Sequence, residues 1–223
     1  MSIKDCSFFC SWSGGKDSCL SLYRAIQEGG RPRFLLTMLR EGGERSRSHG
    51  LPVSLIREQA LSLGIPAVVR ASSRDDYEKV FVSALCEFKK EGVRVGIFGD
   101  IDIEDHRKWG ERVCSSAGVR PYFPLWKKDR RGLLEELLKA GFKATIVSVK
   151  EDVLDTRFLG KTLNMDVIKE IESVGIDASG EEGEYHTVVT DGPIFSTPIR
   201  LEEKGQVFRQ GYWFLDVSTI KED

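Results

Sequence analysis

The first half of the chain alternates short apolar runs with stretches of helical spacing. Residues 7–12 form a first apolar run, and residues 17–28 then place Leu20, Tyr23, Ala25 and Ile26 on one helical stripe, closed by Gly29 and Gly30. A second run at 34–39 precedes a helix over 54–63 carrying Leu55, Ile56, Ala60, Leu61 and Leu63. Residues 66–69 and 95–98 read as a third and fourth strand, with helices at 77–88 and 104–117. Strands that are apolar at successive positions, each followed by a helix, predict a parallel sheet covered on both faces.

The second half has a different rhythm. Helical spacing recurs at 132–139 and 164–174, with a strand-like run at 144–149. Residues 184–190, 193–201 and 207–217 then read as successive antiparallel strands, joined in part by a turn at Gly205. The expected fold class is therefore α/β, a doubly wound and mostly parallel sheet, with a smaller C-terminal α+β domain. Pro121 and Pro124 break local structure and place the boundary there, giving domains 1–122 and 123–223. The last residues, 221–223, are expected to fray.

Composition narrows the function classes. The chain has 223 residues, 30% of them charged, and a net charge of −2, so no global basic field exists to hold nucleic acid. No apolar stretch approaches the ~20 residues that span a bilayer, and the first ten residues do not read as a signal peptide. Five cysteines at wide spacings (Cys6, Cys10, Cys19, Cys86, Cys114) argue against a disulfide framework and for a reducing, cytoplasmic setting. Most of them are expected to pack as small buried hydrophobes, with Cys19, beside the glycine-rich turn, the one with any prospect of thiol chemistry. The run 127–131 carries Lys127, Lys128, Arg130 and Arg131 against Asp129 and is expected to be a solvated loop, the alternative being a patch for an acidic partner surface. Arg40, Arg45 and Arg47 lie in a Gly- and Ser-rich loop and are candidates for guarding phosphates.

Two motifs carry chemistry. Ser13-Gly14-Gly15-Lys16-Asp17-Ser18 sits where the first strand turns into the first helix. Glycines there let backbone amides approach an anion, the helix N-terminus adds partial positive charge, the serines offer hydroxyls and Lys16 a point charge. Asp17 can cap the helix or hold a metal ion bound to phosphate. The spacing is neither GxxxxGK[ST] nor GxGxxG. The second motif, 180–187 (GEEGEYHT), lies in a stretch with five acids and no Lys or Arg. Strand alternation puts Glu184 and His186 on one side and Tyr185 on the other, a carboxylate–histidine pair able to bind or exchange protons.

SGGKDS after a first strand resembles the PP-loop of the ATP pyrophosphatases, whose fold is HUP-like. SHGLP at 48–52, GDI at 99–101, EDHRKWGERVC at 104–114, FPLW at 123–126, GEEGEYHT at 180–187 and DGPIF at 191–195 follow in order. Together they resemble the diphthine–ammonia ligase family over most of the chain. The resemblance implies ATP-dependent amidation of the diphthine carboxylate on elongation factor 2, through an acyl-adenylate, with ammonium as nitrogen donor and AMP and pyrophosphate as products. It implies ATP and Mg²⁺ as cofactors. Ser13, Gly14, Gly15, Lys16, Asp17 and Ser18 would hold the phosphates, with Asp17 nearest the metal. Leu39, Gly99 and Asp100 at strand ends would lie near the adenylate, while His49 and Gly50 would either close over the nucleotide or stay in an exposed loop. Glu181, Gly183, Glu184, Tyr185, His186 and Thr187 would form the substrate end, either binding the trimethylammonium of diphthine or recruiting and deprotonating ammonium. Lys16, Asp17, Asp100 and Glu184 are the catalytic candidates, in a cleft between the domains. No membrane and no direct nucleic-acid contact are expected, and a homodimer is compatible with the sequence. The rival readings are another PP-loop enzyme acting on tRNA or a small molecule, and a non-catalytic AMP- or ATP-binding module.

Overall fold

A computed structural model describes residues 2–47 and 49–220. Ser48, which opens SHGLP, and the terminal residues 221–223 lie outside the described residues. The chain divides into two compact units. Residues 2–13, 17–47 and 64–128 form the first, and residues 14–16, 49–63 and 129–220 the second.

The first unit is a parallel sheet. Its strands are β1 (Ser7–Ser11), β2 (Arg31–Leu39), β3 (Ala67–Ala71), β4 (Val95–Ile97) and β5 (Arg120–Tyr122). Their order among the described residues is β3-β2-β1-β4-β5, and every pairing is parallel. Helix α1 (Lys16–Gln27) follows β1, α3 (Tyr77–Lys90) follows β3 and α4 (Glu104–Ala117) follows β4. Phe9, Leu36 and Met38 meet Phe81, Leu85 and Phe88 of α3 and Val113 and Cys114 of α4 in one buried cluster. The ring of Phe9 touches those of Phe81, Phe88 and Phe98 at centroid distances of 6.2, 5.6 and 6.0 Å. Truncating so central a ring costs about 3–5 kcal/mol. Phe8 and Cys10 alternate to the opposite face, where α1 buries Cys19, Leu20, Leu22 and Ala25. The doubly wound order expected from the apolar runs is what forms. The short edge strand β5 escaped the sequence pattern because its middle residue is Pro121, tolerated only at an edge.

The second unit is an antiparallel sheet of β6 (Lys143–Lys150), β7 (Tyr185–Asp191), β8 (Leu201–Arg209) and β9 (Tyr212–Thr219), in the order β7-β6-β9-β8. Helices α2 (Val53–Leu63), α5 (Arg130–Lys139) and α6 (Met165–Ser173) belong with it. Side-chain caps open the latter two: Asp129 accepts from the Gly132 amide, and Asn164 from those of Asp166 and Val167. Two expectations fail here. Residues 193–200 form no strand, because Pro193 and Pro198 lack a ladder donor and the segment instead bonds to the end of α2. Ser196 N–H donates to Ser62 O at 2.8 Å, and Ser62 Oγ to Thr197 O at 2.6 Å. The run 207–217 is not one strand but parts of β8 and β9, with a turn at Gln210 and Gly211 whose φ angles are 52° and 81°. Gly205 marks an irregularity within β8 rather than the turn.

Of the basic run, Arg130 and Arg131 open α5 rather than lying in a loop, and both are ion-paired. Arg130 pairs with Asp177, and Arg131 with Glu135 and Glu172. All five cysteines are free thiols. Among the described residues, no helix is long and apolar enough to cross a membrane.

Candidate functional site

In the second unit the glycine-rich loop is built into the sheet edge. Gly14 has φ +82°, and a Cβ there would lie 2.6 Å from Gln59 Oε1 and 2.9 Å from Leu51 Cδ1. Its carbonyl accepts from Gln59 Nε2 at 2.9 Å and from the Val189 amide of β7 at 2.9 Å. Gln59 is fully buried and also donates to Val189 O at 2.7 Å. Sequence reading missed Gln59, although a polar residue within the apolar stripe of α2, three after Ile56, was the available signal. Gly15 lies against His49 so closely that a Cβ would sit 2.3 Å from His49 Cε1 and 3.0 Å from Thr187 O. The amide of Lys16, the first residue of α1, donates to Thr187 Oγ1 at 3.1 Å.

His49 is fixed by the same strand. Its Nδ1 meets Thr187 O at 2.9 Å and its ring stacks on His186 with centroids 4.6 Å apart. Burial pulls its pKa down to about 4, opposed by the hydrogen bond to Thr187 and reinforced by the charge of Lys16. The neutral imidazole must donate from Nδ1, because a carbonyl only accepts, so Nε2 carries the lone pair. His186 pairs across the sheet with Ser148, whose buried hydroxyl has no partner among the described residues.

Lys16 is 5% exposed. Its ammonium lies 3.8 Å from Glu181 Oε1 and 5.7 Å from the centroid of the Tyr185 ring. Tyr185 is itself buried and donates its hydroxyl to Ala178 O. Its ring therefore packs under Lys16 within the protein. Glu184, also buried, accepts from the Glu182 amide through Oε2 at 3.0 Å, which folds the acidic turn back on itself. The Tyr212 hydroxyl pins that turn by donating to Gly183 O at 3.0 Å. Gly50 lies against Phe214, where a Cβ would come within 2.9 Å of the ring. The second unit thus gathers Gly14, Gly15, Lys16, His49, Gly50, Glu181, Gly183, Glu184, Tyr185, His186 and Thr187.

The first unit gathers the others. Ser13 and Ser18 share a hydroxyl hydrogen bond of 3.1 Å. Asp17 stands in the first turn of α1. Gly99 follows β4 so close to that turn that a Cβ would lie 3.0 Å from Asp17 C and Ser18 N, so any side chain there would have to push the backbone of α1 aside. Asp100 Oδ1 lies 3.4 Å from His106 Nδ1. Leu39 is buried at the end of β2, so it can offer a ligand its backbone but not its side chain. Among the described residues, no group of three or more His, Cys, Asp or Glu side chains could hold a metal ion by itself.

Known proteins resemble this chain throughout. The family model for the diphthamide synthase N-terminal domain matches residues 8–121, and that for the diphthamide synthase C-terminal domain matches 129–222. A mouse protein named diphthine–ammonia ligase is 27% identical over 239 residues, spanning 94% of this chain and 88% of its own. The human protein of the same name is 25% identical over 234 residues, with the same two coverages. A crystal structure described as a predicted subunit of tRNA methyltransferase from Methanocaldococcus jannaschii covers 84% of this chain and 98% of its own, at 18% identity and a TM-score of 0.47. The two family models meet the chain on either side of residues 122–128, and between them they take in both motifs. The chain belongs to the diphthamide synthase family.

Proposed function

We propose that the chain is a diphthine–ammonia ligase that amidates the diphthine carboxylate of elongation factor 2. The observation that carries this reading is the hydrogen bond between the Lys16 amide and Thr187 Oγ1. It ties residues 14–16 of the phosphate-loop motif to the GEEGEYHT block within the second unit. A loop so held is preorganised for one anionic ligand, which is how a site of this kind lowers a barrier.

The residues suit ATP. Gly14 and Gly15 let the loop pack against Gln59, Leu51, His49 and Thr187 without side chains of their own, which leaves its backbone to a pyrophosphate, and the N-terminus of α1 directs its partial charge there. Ser13 and Ser18 are hydroxyl donors, and Lys16 supplies the cation. Mg²⁺ fits a site with few protein ligands, since on nucleotide phosphates it takes one or two carboxylates and keeps several waters. Asp17, in the first turn of α1, is the carboxylate that would hold it. Gly99 and Asp100, beside the same helical turn, border the adenylate.

Bound ATP supplies the leaving group: the acceptor carboxylate is activated as its adenylate with loss of pyrophosphate, and nitrogen from ammonium then displaces AMP. Lys16 neutralises charge on the departing pyrophosphate. Glu184 is the group assigned to take up a proton from ammonium. Residues 1–122 serve ATP binding and residues 123–223 recognition of the protein substrate.

The test is incubation of purified protein with Mg-ATP, ammonium and diphthine-bearing elongation factor 2, reading AMP and the mass of the modified histidine peptide. The reading requires AMP together with a loss of roughly 1 Da, acid to amide. Lys16→Ala should abolish both products. Glu184→Ala should cut amide formation more than AMP. AMP without the mass change would redirect the chemistry to another acceptor, and no AMP would leave a nucleotide-binding module.

A further inference from the structure

One cation in the first unit is held without a counter-charge. Arg47 follows β2 in the loop that folds back on it: its amide donates to Met38 O at 3.0 Å, and Leu39 bridges Ser46. Its Nη2 donates to the carbonyls of Ser72 and Ser73, just beyond β3, and reaches Ser72 Oγ at 3.4 Å. The guanidinium lies over the ring of Tyr77, 5.3 Å from the centroid, at the start of α3. No carboxylate among the described residues comes within ion-pair distance of it. Its Nε is shielded from solvent and has no acceptor among the described residues. A buried charged donor left unsatisfied costs more than a neutral one, so this guanidinium is held at a cost that an anion on its remaining N–H groups would offset.

The surroundings say what binds. The groups that hold the guanidinium, Ser72, Ser73 and Tyr77, follow the carboxyl end of β3, and Arg47 itself follows that of β2, the edge at which doubly wound sheets take their ligands. Asp100 beyond β4 shares the neighbourhood. Burial pushes the Tyr77 phenol up, the Arg47 charge draws it down and the Asp100 charge pushes it up again, so one ring lies in the field of both. Ser72 and Ser73 also wall a cavity of about 420 Å³, which Lys79 and the carboxylates Glu41 and Asp76 line as well. Arg47's holders therefore border open space. Ser13 to Ser18 account for the terminal phosphates, which leaves the phosphate next to the nucleoside without a cation.

We infer that Arg47 receives the α-phosphate of the nucleotide and stabilises the charge that develops there as the acceptor is adenylated. This rests on the adenylating reading above. The planar guanidinium, pinned by two carbonyls and an aromatic face, presents its remaining N–H groups as a fixed fork, which a lysine cannot reproduce.

The experiment compares AMP with adenosine, which differ by that phosphate alone, as ligands of the wild-type chain and of Arg47→Gln. AMP should bind more tightly than adenosine to the wild type, and the preference should fall at least about tenfold in the variant. The AMP-forming kcat should fall roughly 100-fold, as for loss of one charge-stabilising donor. In wild-type protein labelled with ¹⁵N, the Arg47 Nε–H resonance should move on adding AMP and stay in place with adenosine, a readout that needs no variant to fold. A preference and a rate within about twofold of wild type, or a resonance indifferent to AMP, would reduce Arg47 to a loop strut. If the wild type forms no AMP with any acceptor, the proposed function fails while the binding comparison still decides the role of Arg47.

Discussion

His49 and His186 stack with their ring planes 22° apart, and the carbonyl that anchors His49 belongs to the residue after His186. The strand that carries the acidic motif therefore clamps the imidazole from its face and its edge. An imidazolium would keep the hydrogen bond but would sit against a second ring and near the Lys16 ammonium.

That arrangement predicts acid sensitivity. The folded pKa of about 4 lies below the ordinary 6.5, so on acidification the unfolded chain takes the proton first. The contribution of neutral His49 is complete above pH 6.5 and is lost as pH falls toward 4. His49→Phe keeps the stacked ring and cannot titrate. Thermal melts at pH 7 and pH 4.5 should show the advantage of wild type over His49→Phe shrinking by roughly 2–5 °C at the lower pH. An advantage that stays constant would mean that His49 titrates normally.

Gly15→Ala should damage the phosphate loop for two separable reasons. The added Cβ meets the His49 ring at 2.3 Å and the Thr187 carbonyl at 3.0 Å. Overpacking of this kind costs about 1–3 kcal/mol. In Gly15→Ala/His49→Ala the ring is gone and the backbone contact remains. Urea denaturation of the four forms should therefore show partial, not full, recovery in the double variant, a coupling that a double-mutant cycle measures directly. Strict additivity would place the two residues apart.

Gln59 should matter more than its place in a helix suggests. Its single side-chain amide nitrogen serves two carbonyls, those of Gly14 and Val189. Gln59→Leu fills similar space but strips Val189 O of that donor and leaves Gly14 O only the Val189 amide. The expected loss is about 1–3 kcal/mol in urea denaturation. Because Gly14 is the first glycine of the loop, KM for ATP in AMP formation should rise with it. An unchanged KM at reduced stability would separate the strut from the site.

The legible parts of this molecule were those written in local chemistry. Apolar strands such as Phe8 to Cys10, followed by a capped or glycine-ended helix, dictate a parallel sheet because only that arrangement buries both faces. What stayed hidden depended on partners distant in sequence. Nothing near Tyr185 says that its hydroxyl will be spent on Ala178 and its ring covered by Lys16, 169 positions away. Alternation put Glu184 and Tyr185 on opposite sides, yet both are buried, because the turn at Gly183 folds back to receive the Glu184 carboxylate. In the 193–200 segment the apolar residues argue for a strand, and the two prolines, which lack a ladder donor, override them.

Thiol reactivity offers the last prediction. Burial pushes the Cys10 and Cys19 thiols well above their ordinary range, and Cys114 up to about 12. A thiol without thiolate character and without access is inert. Cys86 is exposed, and Cys6 is partly so, with Arg120 Nη2 4.0 Å from its sulfur. Native protein treated with iodoacetamide should therefore alkylate at Cys86 first and Cys6 next, with the other three reacting only after denaturation, as read by peptide mass mapping. Cys86→Ala should leave AMP formation unchanged. Rapid native labelling of Cys19 would require the first turns of α1 to open, and with them the loop that holds Lys16.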